Sequence, residues 1–201
     1  FGNVGYYFAE IAQQEGFKVV ALSDSKGGVI EKAKIQNLKS EYEELDVKKV
    51  KQYKKEKGNL AGYRDTITNE ELLELPVDIL VPAALENVIN QANMRKIKAP
   101  IIIEMANGPI TEEAYEYLTK KGVIIVPDVL ANSGGVTVSY LEWYQNMHNT
   151  VWTEKKVNQR LEKMMAAAFA PIWETAQAKN ISLKQAAFEV AINRIVSAYQ
   201  S

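Results

Sequence analysis

The chain has 201 residues, 47% hydrophobic and 24% charged, with 24 Lys and Arg against 25 Asp and Glu for a formal charge of −1. That is apolar material for one domain or one large lobe with a real core, and the balanced charge gives no field to attract nucleic acid or an anionic membrane. Cysteine is absent, which excludes disulfides, a thiolate nucleophile and a thiolate metal site, and no apolar run approaches the roughly 18 residues of a membrane span. A cytoplasmic location and small neutral or anionic ligands are therefore expected. There is neither an initiator Met nor a signal-peptide pattern at the start, so the sequence is expected to begin inside a longer protein.

Phe1-Gly2-Asn3-Val4-Gly5 carries two glycines at the spacing of the last two in G-x-G-x-x-G. That turn, between a strand and a helix, sets bare backbone N–H groups against a pyrophosphate at the helix's positive end. Gly2 would permit close backbone approach and Gly5 close packing of helix on strand, with the first glycine and its strand just before Phe1. Alone, such a half motif is equally an incidental turn. Residues 6–15 then place Phe8, Ile11 and Ala12 on one helical face, and Gly16 stops the helix. Val19-Val20-Ala21-Leu22 is a continuous apolar run that predicts a strand buried in a parallel sheet. It enters Ser23-Asp24-Ser25-Lys26-Gly27-Gly28, where Asp24 follows the glycines by roughly twenty residues, the distance of a ribose-binding acid; a solvated turn aspartate is the alternative.

Residues 30–57 have a helical, heavily charged pattern, and the lysines from Lys48 to Lys55 follow directly on an acidic set of Glu41, Glu43, Glu44 and Asp46. Mixed charge of this kind predicts an exposed helix surface instead of a nucleic-acid patch. Thr68-Asn69-Glu70-Glu71 has the capping-box form and opens a short helix through Leu72, Leu73 and Leu75. Three further buried strands are predicted at Asp78-Ile79-Leu80-Val81, Pro100-Ile101-Ile102-Ile103 and Gly122-Val123-Ile124-Ile125-Val126, separated by helices at about 87–97 and 112–121. Strand–helix alternation implies right-handed crossovers and a parallel sheet.

With Ser23 to Gly28, the loops after these strands make four on the same expected edge: Pro82-Ala83-Ala84-Leu85-Glu86-Asn87, Glu104-Met105-Ala106-Asn107-Gly108-Pro109 and Pro127-Asp128-Val129-Leu130-Ala131-Asn132-Ser133-Gly134-Gly135 are the other three. Ligands bind at the carboxyl edge of an open parallel sheet. Small residues there admit a cofactor's body, and Asn side chains both donate and accept, as a nicotinamide carboxamide requires. A single Asn or Gly-Gly is ordinary turn chemistry; recurrence along one edge is harder to dismiss.

Residues 136–145 predict a helix entered from Gly134-Gly135, whose free N–H groups could face an anion, with Ser139 near its first turn. Thr153 can cap the next helix, where Val157, Leu161, Met164, Ala168, Ile172 and Ala176 form a core stripe and Pro171 is expected to kink or divide it. Ser182-Leu183-Lys184-Gln185 is a second capping box, opening a final helix through Ala186, Val190 and Ile195. His148, the only histidine, lies near no carboxylate at ligand spacing and is expected to be structural. Neither a metal cluster nor a hydrolase triad order or H-E-x-x-H motif is present, so hydrolase chemistry has no support.

These segments together resemble the glutamate dehydrogenase family of amino-acid dehydrogenases, specifically its C-terminal dinucleotide-binding domain. The resemblance rests on Gly2-Asn3-Val4-Gly5, Ser23 to Gly28, Pro82 to Asn87, Ala106-Asn107-Gly108-Pro109 and the long run from Asn132 to Trp143, and it spans nearly the whole chain. It implies an α/β fold, a Rossmann-like doubly wound parallel sheet lacking its first strand, over residues 1–135. Residues 136–201 would be a helical segment packed on it, with the N-terminal substrate domain outside the chain.

By the same resemblance, Gly2, Asn3, Val4 and Gly5 hold the pyrophosphate, Asp24 and Ser25 the adenosine ribose, and Ala83, Ala84 and Asn107 the nicotinamide-ribose side. Asn132 meets the carboxamide or substrate, while Val136 and Ser139 line the substrate pocket. The implied reaction is reversible oxidative deamination of L-glutamate to 2-oxoglutarate and ammonia with NAD or NADP. Asp24 would repel a 2′-phosphate and favour NAD, and Lys26 could offset that charge. The family's catalytic Lys and Asp belong to the N-terminal domain, and Lys26 is not that lysine, so no catalytic or metal-binding residue is expected here. The chain alone would be inactive, and the whole protein a homohexamer. The alternatives are a non-catalytic dinucleotide-binding module and, third, a structural or interaction protein.

Overall fold

Residues 1–32 and 42–200, described by a computed structural model, form two three-stranded sheets flanked by helices. The parallel sheet has the order β4 (Ile79–Leu80), β5 (Ile101–Ile103), β6 (Ile124–Val126). Leu80, Ile102 and Ile125 stand side by side in register and are buried, together with Ile89, Ile97 and Leu118, in one core. The strands form as predicted, but only this face is buried: on the other, Ile79, Ile101 and Ile103 are half-buried and Ile124 is 42% exposed. Helix α4 (Glu112–Lys120) links β5 to β6 and buries Ala114, Tyr115 and Leu118 on the same core.

Between β4 and β5 the helix expected at 87–97 does not form; only Met94–Lys96 makes a 3-10 turn. Three asparagines explain this. Asn87 takes a left-handed φ of 54°. The Asn93 side chain accepts from the Asn90 amide (2.8 Å) and donates to the Val88 carbonyl (2.8 Å), and Asn90 Oδ1 accepts from the Ala92 amide (3.0 Å). Local side-chain bonds of this kind compete with a helical ladder.

The strand predicted at Val19–Leu22 is displaced. It forms two residues later as β1 (Ala21–Asp24) and does not join the parallel sheet. β1 turns at Ser25-Lys26 into β2 (Gly27–Ile30), an antiparallel partner, and β2 pairs antiparallel with β3 (Asp65–Ile67). Gly27-Gly28, expected in a loop, makes this hairpin possible. Gly27 has a φ of 128°, and a Cβ on Gly28 would stand 3.1 Å from Ile67 and 3.2 Å from the Leu22 carbonyl. Of the helix expected over 30–57, only α2 (Val47–Lys57) forms, capped by the Asp46 side chain on the Lys49 amide and ended by Gly58 at φ 79°. Ile30 is in β2 and Lys32 bridges to Tyr42, while the expectation for 33–41 falls outside the described residues. Val29, Leu45, Val50 and Leu60 form the small core of this half.

Helix α1 (Asn3–Gln14) follows Gly2, and α3 (Asn69–Leu73) opens with the predicted Thr68/Glu71 capping box. After β6 come α5 (Asp128–Ala131), α6 (Gly134–Met147), α7 (Glu154–Lys179) and α8 (Leu183–Tyr199). Pro171 lies inside α7 without dividing it. The α7 stripe is core only in its C-terminal half, where Ile172 and Ala176 pack with Leu130, Leu183, Ala186 and Ala187; Met164 is 40% exposed. No helix among the described residues is long and apolar enough to cross a membrane.

Candidate functional site

Gly2 precedes α1 in extended conformation and supplies no side-chain cap, and the first intrahelical bond runs from the Tyr6 amide to the Gly2 carbonyl (2.9 Å). The amides of Asn3, Val4 and Gly5 therefore lie in the turn where helical N–H groups lack intrahelical acceptors. A Cβ on Gly2 would meet nothing within 4 Å, so that side of the turn is open. On Gly5 it would meet the Ala83 Cβ at 3.8 Å, an ordinary contact that brings the glycine turn against the loop after β4.

The turn is equally tied to the end of β1. The Phe1 nitrogen donates to the Ser23 carbonyl, and Lys54 of α2 reaches both the Phe1 carbonyl (3.0 Å) and the Asp24 carboxylate (2.8 Å). Asp24 also accepts from the Lys26 amide (2.9 Å), and its carbonyl accepts from the Asn69 side chain (3.1 Å). Burial alone would raise the Asp24 carboxyl, but the bonds from Lys54 and the Lys26 amide outweigh it and hold the group below its usual range. Lys26 thus approaches Asp24 by its backbone, and the cation beside the acid is Lys54. Ser25 is exposed and lines a cleft of about 350 Å³ with Lys26, Gly27, Thr66, Thr68 and Asn69.

At the parallel sheet, the three loops on the carboxyl edge are joined to one another. The Pro82 carbonyl accepts from the amides of Met105 (3.1 Å) and Ala106 (2.9 Å), which locks the Ala83-Ala84 loop to the segment after β5. Asn107 is exposed, and its Oδ1 accepts from Asn132 Nδ2 at 2.6 Å. Gly108, at φ 53°, donates its amide to Asp128 Oδ2 (2.9 Å), while its carbonyl accepts from the Asn87 amide (2.9 Å). The Asp128 amide in turn donates to Glu104 Oε2 (3.0 Å).

Glu104 is the one buried charged side chain among the described residues, 1% exposed. Its burial pushes the carboxyl up to about 6; the Asp128 amide bond opposes this, the Asp128 charge adds to it, and Lys184 opposes it. Oε1 has no hydrogen-bond partner, nor has the buried Tyr115 hydroxyl, whose pKa burial and the Glu104 charge both raise.

Val136 (75% exposed) and Ser139 lie in the first two turns of α6, whose N-cap Ser133 makes no side-chain cap bond. Ser139 Oγ donates to the Gly135 carbonyl (3.2 Å), the back-bond open to a helical serine. His148 ends α6, stacked on Tyr144 with ring centroids 4.0 Å apart and bonded to the Tyr144 carbonyl (2.8 Å), a structural position. No group of three or more metal-capable side chains occurs among the described residues.

The fold thus brings Gly2–Gly5, Asp24 and Ala83 to one place and pairs Asn107 with Asn132. Sequence reasoning missed Lys54, Asp128 and Glu104. Lys54 was hidden in a charged run, although it lies four residues after buried Val50 on the inward face of α2. Glu104 did carry a signal, since it is an acid directly after Ile101-Ile102-Ile103 in a segment otherwise apolar up to Ala106.

The family model for Glutamate/Leucine/Phenylalanine/Valine dehydrogenase matches residues 1–201. A glutamate dehydrogenase of Thermotoga maritima is 47% identical over 98% of this chain and 46% of its own length, so the chain spans about half of that relative. The NADP-specific glutamate dehydrogenase A1 of Halobacterium salinarum is 42% identical over 100% of this chain and 46% of its own length. Among solved structures, a hetero-hexameric glutamate dehydrogenase from Thermus thermophilus superposes with a TM-score of 0.87 at 32% identity, over 98% of this chain and 45% of that one. The chain belongs to the Glutamate/Leucine/Phenylalanine/Valine dehydrogenase family.

Proposed function

We propose that residues 1–135 are the dinucleotide-binding domain, and residues 136–201 its helical extension, of an enzyme that interconverts L-glutamate with 2-oxoglutarate and ammonia using NAD or NADP. The observation that carries this is the position of the glycine turn, fastened to Asp24 through Lys54 on one side and set against Ala83 on the other. A dinucleotide needs amide donors for its pyrophosphate flanked by a ribose acceptor and a carboxamide partner, and the donor set fits. Asn3, Val4 and Gly5 offer the amides past Gly2, Asp24 and Ser25 the ribose acceptors, and Ala83, Ala84 and Asn107 the nicotinamide side. Asn132, held by Asn107, faces carboxamide or substrate, and Val136 and Ser139 border the substrate.

Bound there, the nicotinamide supplies a hydride acceptor. This chain's task is to hold that ring against the substrate Cα–H and keep water from it. The acid–base groups lie in a substrate domain outside residues 1–201, and the whole protein is a hexamer, as the Thermus thermophilus relative's name states of that protein. Asp24 disfavours a 2′-phosphate while Lys54 shares its charge, so either dinucleotide is accommodated.

The test is paired. NADH titration of the whole protein should show binding, and glutamate should drive NAD or NADP reduction by the whole protein but not by residues 1–201 alone. Binding without turnover in the whole protein would reassign it as a dinucleotide-binding module, and no binding would defeat the proposal.

A further inference from the structure

Glu104 is not among the residues assigned to cofactor or substrate, yet it is the buried end of a chain of bonds leading to them. Its carboxylate holds the amide of Asp128, the first residue of α5, and the Asp128 carboxylate holds the amide of Gly108. Gly108 follows Asn107, whose side chain holds Asn132, and the Asn132 amide returns to the Asp128 carbonyl (3.1 Å). Two loops on the ligand edge therefore close into one ring that is tied, through Asp128, to the buried carboxylate of Glu104. A charge is costly to bury, and a glutamine of the same shape would cap the Asp128 amide without that cost.

We propose that Glu104 is a positioning residue which, through Asp128, fixes the Asn107–Asn132 pair in its cofactor-binding shape, and does so as a carboxylate. This rests on the proposal that the edge binds a dinucleotide. Only the ionised group makes a charge-assisted bond to the Asp128 amide; the neutral acid is the weaker acceptor. The groups facing it are Asp128 from α5, Tyr115 from α4 and Lys184 from α8. Lys184 favours the charged state, Asp128 opposes it, and the Tyr115 hydroxyl, buried and unpartnered, stays protonated. Protonation near pH 6 should accordingly loosen the ring.

The experiment is NADH binding by the whole protein, followed by fluorescence across about pH 5–8, for wild type and Glu104→Gln. The expected result is ~tenfold weaker binding of the variant above pH 6, the worth of one charge-assisted hydrogen bond, with the wild type weakening towards the variant as pH falls and the variant itself insensitive. Unchanged affinity overturns the proposal, and so does weaker binding that keeps the wild-type pH profile, which would mark a purely structural residue. Should Glu104→Gln fail to fold, Asp128→Ala cuts the same chain one bond further on: weaker NADH binding supports the relay and unchanged binding overturns it. A wild type that binds no NADH at any pH defeats the dinucleotide proposal itself, and the positioning role falls with it.

Discussion

Asp24 ends β1 in the antiparallel sheet and Glu104 follows β5 in the parallel sheet; both are carboxylates withdrawn from solvent, with side chain and residue exposures of 7% and 1%, yet their surroundings shift them in opposite directions. Asp24 meets an ammonium as well as an amide and is held ionised, whereas Glu104 meets one amide and no direct cation and is pushed towards its neutral form. The antiparallel half therefore holds the glycine turn by an ion pair, and the parallel half ties its last two loops by carboxylate and amide side chains that bond backbone N–H groups and each other. The core behind each differs in the same sense. Among the described residues, eleven buried ones make up the cluster around β4–β6, against four around β1–β3.

The largest effect should come from deleting apolar bulk in each core. Ile102→Ala, at 0% exposure in the central parallel strand, is expected to cost about 2–5 kcal/mol in urea unfolding. Leu60→Ala, at 1% in the smaller cluster, should fall at the lower end of about 2–5 kcal/mol, since fewer packed neighbours leave a site freer to collapse. Equal costs would mean the two cores are equally rigid.

The carboxylates themselves should give opposite slopes of stability against pH. Glu104, raised from 4.5 to about 6, contributes stability that is full below its unfolded value and lost as pH rises through 6, about 2 kcal/mol in all. Asp24 is lowered, so its contribution is present above its unfolded value and lost as pH falls through the folded one. Thermal unfolding across pH should show Glu104→Gln removing the first slope and Asp24→Asn the second. If Glu104→Gln leaves the slope between pH 4.5 and 6 intact, the buried carboxyl is not its source.

Lys54→Met separates the ion pair from the packing of its stem. Asp24 would keep the Lys26 amide but lose its cation, for a cost of about 1–2 kcal/mol. NADP binding should weaken relative to NAD by roughly tenfold, because a 2′-phosphate would then meet an unneutralised acid. An unchanged NADP-to-NAD ratio would show that Lys54 steadies the turn without tuning selection.

The parallel half was the more legible in sequence. Its strands are apolar, mostly isoleucine runs and its strand-end loops follow a known rule of such sheets, but the ties between the last two loops come from the side chains of Asn107, Asn132, Asp128 and Glu104. What failed there was the helix at 87–97, where apolar spacing was overruled by asparagine side chains that bond their own backbone. In the antiparallel half, Val19 to Leu22 carries the same apolar signal as a parallel strand, and only the Gly27-Gly28 hairpin distinguishes the two. Lys54 and Glu104 were illegible as partners because their importance lies in contacts across 30 and 24 residues of chain, with Asp24 and Asp128. Periodicity finds faces; it does not find who meets across them.

The smallest contrast lies in the two capping boxes, which sequence did locate. Thr68 Oγ1 accepts from the Glu71 amide (3.0 Å) and Ser182 Oγ from the Gln185 amide (3.2 Å), so the bond removed by either alanine substitution is the same. The helices behind them differ. α8 begins with Leu183, Ala186 and Ala187 buried in a core shared with α7, so fraying its first turn opens packed surface, and Ser182→Ala should cost ~1 kcal/mol of global stability. α3 buries no residue fully, so its first turn can open without unfolding the rest, and Thr68→Ala should cost about 0.5 kcal/mol or less. Its effect should instead be local, because Asn69, the next residue, donates to the Asp24 carbonyl. Amide hydrogen exchange would show this directly. Faster exchange confined to the Asn69–Leu73 helix and β1, with the parallel sheet unchanged, is expected; acceleration across both sheets would mean that the two halves unfold as one unit.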